Sequence, residues 1–247
     1  MNQTVESTVE KESAIAASFE ADTYQTPKIE YIMPFHYDED EHYYVENLGA
    51  LKKKPVYSFF KRLFDIVFSF LGLTFMALPM LVIAIVIKCT SKGPVFYAQE
   101  RLGLNGKEFH LIKFRTMIAD AEKNGAQWSQ GDVDNRITKI GAFLRKTRMD
   151  ELPQLWQCLI GQISIVGPRP ERPIFYAAFE THVHGFTERT KVKPGITGLA
   201  QVNGGYNLRP EEKVQYDVEY IKKRSLWLEF KILLKTVKVV LSHDGAK

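Results

Sequence analysis

The chain has 247 residues, of which 45% are apolar and 25% charged. That composition excludes wholesale disorder and leaves room for one catalytic domain with tails. Two cysteines, Cys89 and Cys158, exclude a disulfide scaffold and a paired-cysteine metal site, so a reducing compartment is expected.

The net charge of +4 conceals an asymmetry. Residues 1–50 carry eleven acids and two bases, a net −9, which leaves +13 on the remainder. A basic body suits anionic partners: phosphorylated substrates, anionic lipid or nucleic acid. The opening is acidic and polar, so no secretory signal is expected there. Residues 1–55 are expected to be a flexible acidic leader, with the aromatic stretches 31–35 and 43–45 able to dock.

Residues 66–87 contain no formal charge. As a helix they would be about 33 Å long, enough to cross the hydrocarbon of a bilayer. Each charge at the bilayer centre would cost roughly 2.5–3.5 kcal/mol, so the absence of charge over this length is informative. Pro79 lies inside the run and predicts a kink. Both flanks are basic: Lys52, Lys53, Lys54, Lys61 and Arg62 before, Lys88, Lys92 and Arg101 after. Two positive flanks favour a helix that enters and leaves by one face, although a Pro-kinked spanning helix fits the same residues. The expected division is a leader over 1–55, a membrane segment over 56–91 and a catalytic domain over 92–247.

The remaining pattern is that of a water-soluble domain. Strands at 94–98 and 109–114 flank a Gly103–Gly106 turn and predict a hairpin. Helices are predicted over 116–123, 137–148 and from about 150 to just before Gly161, with a polar loop over 127–135. A short buried strand at 163–166, a helix over 171–190 and a Gly-rich loop over 193–205 follow. Helices over 210–223 and 226–241 end the pattern. The last is amphipathic, with Lys231, Lys235 and Lys238 on one face, as in a helix that lies among lipid headgroups or one that packs with a solvated stripe. The fold class is α+β and mostly helical.

Three clusters can carry chemistry. In the first, Asp150 fits a helix N-cap and Pro153 its first turn, a setting that favours phosphate. Arg145 and Arg148 sit three apart and can face one way. Adjacent Asp150 and Glu151 can hold a divalent cation or attack phosphorus. The second is Gly167-Pro168-Arg169-Pro170, in which two prolines restrict the backbone that carries a guanidinium. The third runs from Lys193 to Gly204 and offers backbone donors with the amides of Gln201 and Asn203. Each cluster alone also fits a bland reading: a capped helix, a rigid turn, a surface loop.

Together they are specific. The strings Asp150-Glu151-Leu152-Pro153-Gln154-Leu155, Val166-Gly167-Pro168-Arg169-Pro170, Pro194-Gly195-Ile196-Thr197-Gly198 and Gln201-Val202-Asn203-Gly204 resemble the bacterial sugar transferase family in order and spacing. So do Lys61-Arg62-Leu63-Phe64-Asp65, Gln99-Glu100-Arg101-Leu102-Gly103 and Lys113-Phe114-Arg115-Thr116-Met117. These are the monotopic phosphoglycosyl transferases, and the resemblance covers roughly residues 58–243.

The resemblance implies transfer of sugar-1-phosphate from a UDP-sugar to polyprenyl phosphate with release of UMP. Asp150 would be the nucleophile of a ping-pong reaction, Glu151 its partner, and Mg²⁺ the cofactor held by both. Arg145, Arg148, Pro168, Arg169, Pro170, Gln201 and Asn203 would bind phosphate or nucleotide. It further implies a re-entrant helix-break-helix at Pro79, a location on the bacterial inner (cytoplasmic) membrane, and a catalytic domain facing the cytosol. The expected partners are the UDP-sugar, polyprenyl phosphate and membrane lipids, not nucleic acid; a homodimer or glycan-assembly partners stay open. The alternative is an inactive membrane-surface scaffold for glycan enzymes. Two positions depart from the family: Leu78 precedes Pro79 where serine is usual, and Lys193 stands where arginine is commoner.

Overall fold

A computed structural model describes residues 37–121 and 134–242. Most of the expected loop over 127–135 and most of the leader lie outside them. The described part of the leader is placed against the domain. Tyr37 is buried and its hydroxyl donates to Glu211 Oε2 at 2.7 Å. Strand β1 (Tyr43–Tyr44) pairs in parallel with β5 (Val183–His184). The backbone N–H of Leu48 donates to Glu188 Oε2, and Lys191 Nζ donates to the Gly49 carbonyl.

Helix α1 (Pro55–Thr90) is one helix of 36 residues with Pro79 inside it. The break expected at Pro79 is therefore not seen as an interruption. Proline removes one backbone donor from the ladder, while the hydrogen bonds on either side persist. The helix is long and apolar enough to cross a membrane. One stripe of it packs on the domain at spacings of three and four residues. Lys61 donates to the Val166 carbonyl, Arg62 to the carbonyls of Cys158 and Leu159, and Asp65 accepts from the Ser164 hydroxyl and the Ile165 N–H. Further along, Ile83 and Ile87 bury themselves with Phe114 and Leu144. The opposite stripe is bare and apolar, with Phe59, Phe68, Phe75 and Leu78 among its exposed side chains.

The hairpin consists of β2 (Phe96–Leu102) and β3 (Glu108–Phe114), antiparallel throughout. Asn105 takes a left-handed conformation in its turn. The helix expected over 116–123 is absent from the described part of that span. Met117 bridges Ile137, and the Thr116 carbonyl accepts from the Thr138 N–H. Long-range pairing takes the hydrogen bonds a helix would have used. Helix α2 (Lys139–Lys146) is capped by the Thr138 hydroxyl, which accepts from the Gly141 N–H at 3.0 Å.

A 3₁₀ turn (Met149–Glu151) precedes α3 (Gln154–Ile160), which ends at a left-handed Gly161. Asp150 lies in the middle of that turn and caps no helix, which corrects the N-cap expectation. The predicted helix over 171–190 resolves into α4 (Pro173–Glu180), β5 and a 3₁₀ segment (Phe186–Lys191). The Gly-rich loop contains β6 (Gly195–Thr197), which pairs in parallel with β4 (Ser164–Val166), and a one-turn α5 (Leu199–Val202). Helices α6 (Pro210–Lys223) and α7 (Leu226–Ser242) match their predicted spans closely.

The core joins Leu111, Cys158, Ile163, Ile165, Val166, Tyr220, Ile221 and Ile232. It therefore binds β3, α3, β4, α6 and α7 together beneath the stripe of α1. A second cluster around Phe179 and Phe186 anchors Tyr37 and α4.

Candidate active site

Asp150 and Glu151 reach the site through a change of backbone direction at Arg148, which is left-handed with φ 59°. That turn carries both carboxylates inward, where they are 7% and 9% exposed. Burying two adjacent acids demands compensating charge. Lys113 supplies it from β3: its Nζ donates to Glu151 Oε1 at 3.0 Å. Arg169 Nη2 donates to the same oxygen. Arg169 is held in turn from behind, where its own carbonyl accepts from Arg189 Nη2 at 2.8 Å. Arg189 is fully buried and pairs with Asp217 at 2.7 Å.

The backbone around this turn is tightly interlocked. The Gly167 N–H donates to the Thr197 carbonyl and the Gly195 N–H to the Pro168 carbonyl. A Cβ on Gly198 would sit 2.2 Å from the Gly167 carbonyl oxygen, so only glycine fits where the two loops cross.

These contacts separate the two acids. Burial opposes the Glu151 charge, but Arg169 and Lys113 outweigh it and hold the carboxyl well below the usual range. Asp150 shifts the other way. Burial pushes its carboxyl up, Lys113 counters this, and the neighbouring Glu151 charge pushes up again.

The dyad opens into a cavity of about 320 Å³, within the range of small-molecule sites. Asp150, Glu151, Arg145, Arg148, Arg169 and Gln201 all line it. Arg145 Nε also donates to the Thr116 hydroxyl at 2.9 Å. Pro168, Pro170 and Asn203 do not line it. The Pro170 carbonyl accepts from Arg101 Nη1, so that proline shapes the turn. The Asn203 amide donates to the Leu199 carbonyl, and its oxygen accepts from Lys235.

Further residues line it that were not among the expected site residues: Lys113 and Arg101, which stand in strings that carry the family resemblance, and Arg136, Glu171, Arg172 and Lys213. Glu171 lies between Arg101, 3.2 Å away, and Lys213, 3.3 Å away. Burial raises its carboxyl, but Lys213 and Arg101 outweigh this and bring it down to about 2. Its position two residues after Arg169 was the only available signal. Among the described residues no group of three or more His, Cys, Asp or Glu side chains forms a metal cage. Asp150 and Glu151 are hard oxygen donors that suit a Mg²⁺ ion whose remaining ligands are substrate phosphates and water.

A buried acidic dyad thus lies in a cationic cavity of a domain that packs on a long apolar helix. The chain belongs to the bacterial sugar transferase family, whose profile matches residues 56–243. It is 39% identical to a UDP-N-acetylgalactosamine-undecaprenyl-phosphate N-acetylgalactosaminephosphotransferase of Aeromonas hydrophila, over 84% of this chain and 49% of that protein. It is 44% identical to a UDP-glucose:undecaprenyl-phosphate glucose-1-phosphate transferase of Klebsiella pneumoniae, over 72% of this chain and 39% of that protein. An undecaprenyl-phosphate glucose phosphotransferase of Komagataeibacter xylinus is 37% identical over 84% of this chain and 42% of its own length. The chain thus spans about half the length of these curated relatives, or less.

Proposed function

We propose that this chain transfers sugar-1-phosphate from a UDP-sugar to polyprenyl phosphate, releasing UMP, as the first committed step of a surface-glycan assembly. The observation that carries this reading is the split dyad. Glu151 is neutralised by Lys113 and Arg169, whereas no hydrogen bond to the Asp150 carboxylate is formed among the described residues. Asp150 is therefore the oxygen nucleophile available to the β-phosphorus of the donor. Its attack forms the Asp150–phosphorus bond and breaks the bond between the β-phosphorus and the bridging oxygen, which leaves with UMP. The polyprenyl phosphate oxygen then displaces Asp150 and returns its carboxylate. Arg145, Arg148 and Arg169 offset the donor's diphosphate charge so that a carboxylate can approach. Mg²⁺ held at Asp150 and Glu151 would polarise the phosphoryl oxygens.

The apolar stripe of α1 is the membrane-facing element. The domain packs along this helix from Lys61 to Ile87, which favours a helix seated in one leaflet over one that spans, with both ends on the cytosolic face of the bacterial inner membrane. The relatives' names carry different sugars, so the sugar stays unassigned.

The experiment is mass spectrometry of the enzyme incubated with UDP-sugars and Mg²⁺ but no lipid acceptor. An acyl phosphate on Asp150 and a stoichiometric burst of UMP are expected. Asp150→Asn should fold and lose both. An adduct that persists in Asp150→Asn, or a kinetic requirement for a ternary complex, would overturn the assignment.

A further inference from the structure

The cavity changes character along β2. Alternate residues of a strand share a face, and Tyr97, Gln99 and Arg101 all line the cavity in one row. At the Arg101 end the wall is ionic, through Glu171 and Lys213. At the other end Phe96, Phe114, Met117 and Ile118 line it, with Arg136 and Arg145 beside them. Phe96 and Phe114 stack with ring centroids 5.3 Å apart. Phe114 is itself packed on Ile83 and Ile87 of α1.

The apolar end therefore abuts the inward side of α1, and the outer side of the same half of the helix exposes Leu81, Val82 and Ile85. Phe96 and Ile118 are each 49% exposed, an arrangement that costs hydration free energy unless something apolar covers them. The register places Tyr97 directly across from Lys113, whose ammonium holds Glu151. Exposed apolar side chains at Phe96 and Ile118 thus share one cavity with the dyad, and the strand register carries that wall to Lys113.

Of the two substrates in the proposed reaction, only one has a long apolar chain ending in a phosphate. We propose that Phe96, Tyr97 and Ile118 form the subsite for the first isoprene units of the polyprenyl phosphate acceptor, with its phosphate directed to Lys113 and the dyad. This rests on the transfer reaction proposed above. The donor then occupies the ionic end, toward Arg101 and Lys213. A sugar ring stacked on Tyr97 is the rival occupant.

The test uses the full chain in nanodiscs and a defined probe, farnesyl phosphate, so that binding is measured apart from turnover. Wild type should bind it, and the double variant Phe96→Ala, Ile118→Ala should bind about tenfold or more weakly, the scale set by losing contact with one or two large apolar side chains. Phe96→Leu should recover most of the affinity, and unchanged thermal melting would show that the fold is intact. With polyprenyl phosphates of graded length, the double variant should lose the preference for longer chains. Unaltered farnesyl phosphate affinity in the double variant, or no binding by wild type, overturns the subsite. So does a loss of equal size for the UDP-sugar, which gives this wall to the donor. A failure of the transfer reaction itself shows separately, as wild type that releases no UMP while still binding farnesyl phosphate.

Discussion

Lys113 Nζ stands 3.0 Å from Glu151 Oε1, the same oxygen that Arg169 engages. One carboxylate of the pair is thus held twice, which leaves Asp150 as the nucleophile proposed above. The partner that achieves this comes from a strand nearly forty residues earlier in the chain.

Replacing Lys113 with Met keeps the length of the stem and removes the charge. Glu151 then depends on Arg169 alone, and the attacking carboxylate loses its counter-charge. UMP release should fall by about 10²-fold or more, the scale of one lost electrostatic contact at a reacting centre. Steady-state kinetics with a melting control would check this. A change under threefold would remove Lys113 from the site chemistry.

Arg169→Lys preserves charge and loses the planar fork. Its carbonyl contact with Arg189 is a backbone bond and survives the substitution. Turnover is expected to drop by at least about tenfold with melting unchanged, because a bidentate contact becomes a point charge. Wild-type turnover would leave Arg169 as a turn residue only.

Stability should fall in acid through Glu171. Its carboxyl is brought from 4.5 to about 2 in the fold, so the unfolded chain binds the extra proton between those values. The contribution is complete above about pH 4.5 and is lost as pH falls toward 2, on the order of 3 kcal/mol in total. Chemical denaturation across that window should show this slope in wild type and a flatter one in Glu171→Gln. Equal slopes would sink the argument.

Gly141 lies within α2, where alanine would ordinarily add about 1 kcal/mol of helix propensity. Here a Cβ would meet the Thr116 carbonyl oxygen at 1.9 Å, a backbone atom that cannot move aside cheaply. Gly141→Ala should therefore destabilise by roughly 2 kcal/mol or more, the scale of an overpacked site. A raised melting temperature would contradict the close approach of α2 to the 115–117 segment.

Topology can be read by labelling cysteines introduced at positions 40 and 238. Cys89 is exposed and must first be changed to Ser. In intact cells both positions should be shielded from an impermeant reagent and labelled after lysis. Labelling of one from outside would establish a spanning helix.

Much of this was legible locally. The hairpin announced itself by alternation around Gly103 and Gly106, and α6 and α7 by period and by Pro210 at the first position. Asp150, Glu151, Arg145, Arg148, Arg169 and Gln201 were all marked by local clustering, and they do line one cavity. Lys113 and Arg101 stood in family-like strings and Lys213 in none, but no local cluster marked any of them for the site, because each is an ordinary basic residue within its own element. Only the crossing of β2, β3 and α6 gives them a common target. The helix misread over 116–123 failed for the same reason: Thr116 and Met117 pair with residues beyond 135. Pro79 was read as a break because a single residue signals the lost bond and says nothing about the bonds that remain.

The polar fastening of α1 also dictates an order of events during synthesis. Arg62 donates to the carbonyls of Cys158 and Leu159, made almost a hundred residues later. At ordinary translation rates that interval is about 5–20 seconds. Throughout it, Lys61, Arg62 and Asp65 lack the partners from α3 and β4 and stand beside an apolar run. The charged end of α1 must therefore stay solvated until α3 and β4 emerge from the ribosome. The last step of folding is then a docking reaction, with the helix made first and the domain closing onto it.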